Sequence, residues 1–185
     1  MHKGFCGKRI LIGVTGSIAA FKVAGWVSTL AKSEAIVSVI MTKSAREFVT
    51  PLTFSALSGN RVYGEMFTSE DGETMSHITL GRESDLVVVA PATAQTIARL
   101  ANGMADDLLT TTILASRAPV IICPAMNSRM YLHPATQENI TKLRQFGYQV
   151  IEPDCGTMAC KEEGQGRLPE WDQVSDCLLY TSRCV

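Results

Sequence analysis

Pro119-Val-Ile-Ile-Cys-Pro-Ala-Met-Asn-Ser-Arg-Met-Tyr131 is the stretch on which the reading of the fold turns. Val120 to Cys123 are four apolar residues between two prolines, the pattern of a short strand buried on both faces at the centre of a parallel sheet. Pro124 has no N–H with which to extend a ladder. The chain is therefore expected to leave the sheet there and to place Asn127 just beyond the strand's carboxyl end, where open α/β sheets bind their ligands.

Upstream, Asp85-Leu-Val-Val-Val-Ala-Pro91 reads as a second doubly buried strand, and Lys8-Arg-Ile-Leu-Ile-Gly-Val-Thr15 as the first strand of the chain. Ser17 is expected to cap a helix over residues 18–31. A strand at 35–41 ends in Thr42, which caps a short helix at 43–48, and Thr50-Pro51 opens another helix that Gly59 closes. Helices are further expected at 93–101, 105–116 and 134–146, a last short strand at 149–151, and a final helix of about ten residues after Glu170. Strands alternating with helices predict a single-domain doubly wound parallel α/β sheet over residues 1–185, flavodoxin-like or Rossmann-like. From 153 to 169 the pattern is lost; Gly156, Gly164 and Gly166 are too many for a helix, and a mobile substrate flap is expected there.

The chain has 185 residues, 46% hydrophobic and 19% charged, with a formal charge of -1. That balance lacks the basic footprint needed for nucleic acid or an anionic membrane, which leaves a small molecule as the expected partner. Lys3, Lys8 and Arg9 before an apolar stretch imitate a signal peptide, but Gly13, Thr15, Gly16 and Ser17 interrupt it. No run reaches the ~18 apolar residues of a membrane span. The six cysteines form no Cys-x-x-Cys pair and the three histidines are scattered. No metal site and no disulfide are expected, in keeping with reduced thiols and a cytoplasmic location.

Gly13-Val-Thr-Gly-Ser-Ile18 lies at the first strand-to-helix turn. The backbone N–H groups of Gly16, Ser17 and Ile18, opening the helix, suit a phosphate; the alternative is that Gly16 serves only the turn. The second strand ends in Met41-Thr42-Lys43, without the acidic residue that holds the ribose of a dinucleotide. Thr42 offers a hydroxyl to a mononucleotide phosphate instead.

Four stretches in one order, spanning about residues 8–172, carry a resemblance: Val14-Thr-Gly-Ser-Ile-Ala-Ala20, Ser76-His77-Ile78, Pro124-Ala-Met-Asn127, and Ala159-Cys160 with Gly164-Gln-Gly-Arg-Leu168. Together they resemble the flavin-dependent cysteine decarboxylases (HFCD flavoproteins), nearest the branch that acts on 4'-phosphopantothenoylcysteine in coenzyme A biosynthesis. The resemblance implies FMN, with Ala92, Thr93 and Ala94 beside the flavin ring and Ala105 and Asp106 at its far edge. It implies that Asn127 binds the substrate carboxylate, with Met126, Met130, Ala159 and Arg167 around the substrate. His77 would serve the oxidation half of the reaction, and Cys160 would return a proton to the product. It implies a homo-oligomer, a trimer or a multiple of trimers, with the flavin at a subunit boundary.

Simpler roles stand beside these: Asn127 and Thr93 as helix caps, Cys160 as an inert small hydrophobe, His77 as an ordinary polar residue. Rival functions are a peptidyl-cysteine decarboxylase, a non-catalytic flavin-binding regulator and a flavin prenyltransferase. The ligase domain of bifunctional family members is not in this chain, which is either a stand-alone decarboxylase or ends at a domain boundary.

Overall fold

Successive side chains of a strand point to opposite faces of a sheet, so a strand apolar at every position needs a layer on each side. The computed structural model, which describes residues 3–66, 75–159 and 161–183, has that arrangement. The chain runs β1 (Arg9–Val14), α1 (Ala20–Lys32), β2 (Ile36–Met41), α2 (Pro51–Ser58), β3 (Val62–Tyr63), α3 (Ser76–Glu83), β4 (Leu86–Ala92), α4 (Ala94–Ala101), α5 (Leu108–Ala115), β5 (Val120–Pro124), α6 (Ser128–Tyr131), α7 (Pro134–Gln145), β6 (Gln149–Val150), β7 (Asp154–Thr157), β8 (Glu163–Arg167) and α8 (Trp171–Arg183). Among the described residues, six strands form one parallel sheet in the order β3-β2-β1-β4-β5-β6. The doubly wound sheet expected from the sequence is thus present. Its order reverses direction between β1 and β4, the switch point where such sheets open a crevice.

Ile10, Ile12 and Val14 of β1, Leu86, Val88 and Ala90 of β4, and Ile121 and Cys123 of β5 face a core shared with α1, α2 and α8. Trp26 and Trp171 stack obliquely in that layer, ring centroids 5.8 Å apart. Leu11, Val87, Val89, Val120 and Ile122 face the opposite core, closed by α3, α4, α5 and α7. Each such buried aliphatic side chain contributes about 1.5–3 kcal/mol, which is why these strands tolerate no polar alternation. Burial raises the pKa of the Cys123 thiol, which lies wholly inside this layer.

Three boundaries depart from expectation for local reasons. Ser17 does not cap α1: residues 16–19 form a separate turn in which Ser17 N donates to Thr15 O at 2.8 Å, and the helix begins at Ala20. The helix expected from 105 begins at Leu108, because Asp107 supplies a stronger start. Its carboxylate accepts from Thr110 N at 2.8 Å, and the Thr110 hydroxyl answers the Asp107 N–H at 3.4 Å. Pro124 belongs to β5, opposite Ala92 in the register, where its missing N–H costs nothing at a strand end.

The stretch expected to be an irregular flap is a hairpin, β7 pairing antiparallel with β8. Its glycines replace side-chain alternation, which is why no strand pattern is visible in the sequence. Gly166 has φ +157°, and a Cβ there would sit 2.2 Å from Met126 O; one at Gly164 would sit 2.6 Å from Ser128 Oγ. Only bare backbone fits this close to the Asn127 loop.

Candidate active site

A cavity of about 500 Å³ opens at the carboxyl edge of the sheet, between the β1–α1 turn, the segment after β5 and the hairpin. That size falls within the ~300–1,000 Å³ of small-molecule sites. Ser17, Ile18 and Phe21 form one wall, Ala125, Met126 and Asn127 another, and Met158, Ala159 and Arg167 of the hairpin the third. Three of the four sequence motifs are therefore joined in one space. The lining is mainly apolar, suited to a planar ring, with a few polar groups at fixed points.

The Asn127 amide is oriented by the chain itself. Its Oδ1 accepts from Arg129 N at 2.9 Å, capping α6, and this leaves Nδ2 as the group presented outward. Nδ2 donates to the Glu162 carboxylate of the hairpin at 2.7 Å. Capping through Oδ1 thus leaves the nitrogen of the same side chain available to an acceptor. Met126 N donates to Gly166 O at 3.0 Å, so the hairpin is stitched to the same loop through backbone as well.

Tyr131 secures α6 from behind. It is buried, and its phenol donates to Glu152, which also pairs with Arg144 of α7. Burial first, and Glu152 second, push the Tyr131 pKa up to about 12. Glu152 lies just ahead of β7, so this contact joins the Asn127 loop to the base of the hairpin. At the cavity mouth Glu170 accepts from Lys22 at 3.1 Å and from Arg167 at 3.5 Å, linking α1, β8 and the approach to α8.

The turns around β1 and β4 are tied together by Thr15, which stands in the first motif without a role legible there. Thr15 is buried; its hydroxyl donates to Pro91 O at 2.5 Å and accepts from Thr93 N at 3.0 Å. Thr93 caps α4, accepting from Thr96 N at 3.4 Å, and Thr42 accepts from Ala45 N at 3.3 Å in the 3-10 helix Lys43–Glu47. Gly16 packs so tightly on Ser44 that a Cβ would lie 2.5 Å from Ser44 Cβ. Ser44, like Lys22 and Glu162, gave no signal in sequence, because an isolated hydroxyl or charge has no period and its partner is far along the chain.

Several expected site residues stand apart from the cavity. Thr42, Ala92, Thr93 and Ala94 are not among its lining residues; Ala92 is fully buried, and its carbonyl accepts from Ala125 N at 3.1 Å. Ala105 and Asp106 are exposed beyond α4, with Asp106 paired to Arg99 at 3.1 Å. Met130 is 50% exposed on α6, away from the space that Met126 helps to fill. His77 opens α3, whose Leu80 packs in the core on the sheet face opposite α1, so this chain alone does not bring His77 into the cavity. Cys160 lies outside the described residues. Among the described residues no cluster of His, Cys, Asp or Glu has the makings of a metal site, and no helix is long and apolar enough to cross a membrane.

The Flavoprotein family profile matches residues 5–182. The coenzyme A biosynthesis bifunctional protein CoaBC of Bacillus subtilis is 50% identical over 167 residues, covering 90% of this chain and 41% of the relative; that of Haemophilus influenzae is 44% identical, covering 93% and 43%. The chain thus spans about two fifths of the length of the curated relatives it matches. Among solved structures, the FMN-dependent cysteine decarboxylase SpaF superposes with a TM-score of 0.84 at 32% identity, covering 97% of this chain and 99% of that one. A PPC decarboxylase mutant, C175S, complexed with pantothenoylaminoethenethiol, superposes with a TM-score of 0.80 at 29% identity, covering 94% and 98%.

Proposed function

Since the chain belongs to the Flavoprotein family, we propose that it binds FMN and decarboxylates 4'-phosphopantothenoylcysteine to 4'-phosphopantetheine, a step of coenzyme A biosynthesis. The observation that carries this reading is the single cavity uniting the Ser17-Ile18 turn, the outward amide of Asn127 and the hairpin. Half of all aligned residues are shared with a bifunctional coenzyme A protein, which supports that substrate over a peptide.

Bound flavin supplies a two-electron acceptor for the thiol-bearing carbon, giving a thiocarbonyl that takes up the electrons left when CO2 departs, and a hydride to restore saturation. The chain's own residues bind and orient. Asn127 Nδ2 donates to the substrate carboxylate without adding a positive charge that would hold it back from leaving as neutral CO2. Ala125 and Met126 keep water from that carboxylate, and a poorly solvated carboxylate is lost more readily. Arg167 and Lys22, cationic at the mouth, suit the phosphate end of the substrate. In this reading Ser17, Ile18, Gly16 and Thr42 hold the FMN phosphate, while Ala92, Thr93, Ala94, Ala105 and Asp106 border the ring. With the Ser17 N–H already given to Thr15 O, the Gly16 and Ile18 amides and the Ser17 hydroxyl are the donors for that phosphate.

Cys160 is the proposed proton donor to the product, and His77 orients or deprotonates the substrate thiol. His77 reaches a cavity only across a subunit boundary, since its helix lies on the other face of its own sheet. This supports a homo-oligomer built on trimers, with Ile18 and Phe21, both more than half exposed at the cavity wall, as apolar surface for a neighbour to cover. A cytoplasmic location fits a pathway of soluble intermediates.

Incubation of the flavin-loaded protein with 4'-phosphopantothenoylcysteine, followed by mass spectrometry, is expected to detect loss of CO2. Unchanged substrate with full flavin occupancy would overturn the substrate assignment.

A further inference from the structure

The Asn127 donor assigned to the substrate carboxylate is already held by a carboxylate of the chain, that of Glu162, at 2.7 Å. This distance lies in the charge-assisted range of about 2.7–2.9 Å. The contact is built. Met158 N donates to Glu162 O at 2.9 Å and Lys161 N to Met158 O at 2.9 Å, closing a tight turn in which Lys161 takes φ +64°. The Met126 N to Gly166 O bond and the Gly164 approach to Ser128 then hold the hairpin against the Asn127 loop. Glu162 therefore stands within reach of Asn127 through the hairpin's own architecture.

We propose that Glu162 is a specificity-determining residue that competes with the substrate carboxylate for Asn127, so that a carboxylate ligand must displace it and the decarboxylated product need not. The inference rests on the reading of Asn127 as the carboxylate site. Two carboxylates side by side on one amide would repel, and Glu162 is exposed and can swing into solvent when another carboxylate takes the amide, so occupancy is exclusive. Binding of substrate carries the cost of expelling Glu162. Once CO2 has left, Glu162 returns to the half-buried amide, which is never stranded without an acceptor. The residue thus narrows the affinity gap between substrate and product, and limits retention of the acid.

The test compares two phosphopantothenoyl ligands that lack the oxidisable thiol and differ only in the carboxylate, the serine amide and the ethanolamine amide, binding to the flavin-loaded full chain by calorimetry. Glu162→Ala is expected to tighten the serine ligand about fivefold, the size of one part-exposed charge-assisted hydrogen bond, and to leave the ethanolamine ligand within about twofold. Glu162→Gln, which keeps the shape and removes the charge, is expected to tighten the serine ligand by about two- to threefold. Retained flavin reports folding of both variants. An unchanged ratio between the two ligands, or equal weakening of both, would overturn the proposal and leave Glu162 as a fastener of the hairpin. Failure of the unsubstituted protein to bind either ligand would instead remove the substrate reading, and this inference with it.

Discussion

Two regions border the cavity and are built on different principles. On the side of β1 and β4, polar side chains are spent on the backbone beside them: Thr42 on Ala45 N, Thr93 on Thr96 N, and Thr15 on both Pro91 O and Thr93 N. The hairpin side has bare glycine backbone against the Asn127 loop, and its polar contacts cross between elements: Met126 to Gly166, Asn127 to Glu162, Tyr131 to Glu152. The first arrangement makes a frame whose shape is settled by local geometry and core burial. The second makes a clasp held mainly by contacts between elements, the kind of region that opens at a fraction of the global unfolding free energy. On the proposed reading, in which the site encloses a flavin and exchanges one carboxylate for another, both are needed.

The contrast is broken most severely by Gly166→Val. A side chain there meets Met126 O at 2.2 Å and forces the hairpin off the Asn127 loop. Decarboxylation is expected to fall by about 100-fold, the scale of a 1 Å misplacement. Thermal unfolding of the sheet, followed by far-UV circular dichroism, should move little, because β7 and β8 place no residue in either core. Comparable loss of stability and activity would mean that frame and clasp unfold as one.

Thr15→Val is the reciprocal case, isosteric but without the hydroxyl that joins the ends of β1 and β4. It leaves Pro91 O and Thr93 N unpaired where Thr15 is buried, at a cost of about 2 kcal/mol. Denaturant unfolding should register the loss, and flavin retention should fall with it. An unchanged midpoint would show that the frame does not depend on this crosslink.

Tyr131→Phe has the smallest expected effect and lies where the two regions meet. Removal of the phenol's bond to Glu152 should cost about 1 kcal/mol near neutral pH. The pH dependence sharpens the point. Because the folded-state pKa is raised to about 12 from an ordinary value of about 10, the protonated phenol favours the folded state. Its contribution is complete below the unfolded value and is lost as pH rises through the folded one. The stability difference between the native sequence and Tyr131→Phe should therefore shrink from pH 10 to 12; a constant difference would separate the effect from the phenol's ionisation.

The legibility of the molecule followed the same division. β4 and β5 were readable because seven and five consecutive buried positions leave no alternative to a two-sided core. The Thr42 and Thr93 caps were readable because a cap acts over three residues. The hairpin was not, since Gly156, Gly164 and Gly166 answer to atoms of Arg167, Ser128 and Met126 and not to any period of their own. The Ser17 hydroxyl caps only its own turn, accepting from Ala19 N at 3.4 Å, because Thr15 O and Ser17 N close that turn before the helix begins at Ala20.

Sequence alone therefore determined the parallel sheet and the turn in which Asn127 follows β5, because burial periodicity and proline are local properties of a chain, while Arg167 became a candidate only through the family resemblance. Tertiary structure decided which of them share a space, that Asn127 presents its nitrogen and not its oxygen, that His77 sits across the sheet from the cavity, and that Glu162 faces the amide first. The orientation of the amide is a cap made two residues away, but the shared space and the Glu162 contact depend on residues 35 or more positions apart, and no local pattern encodes a partner at that distance.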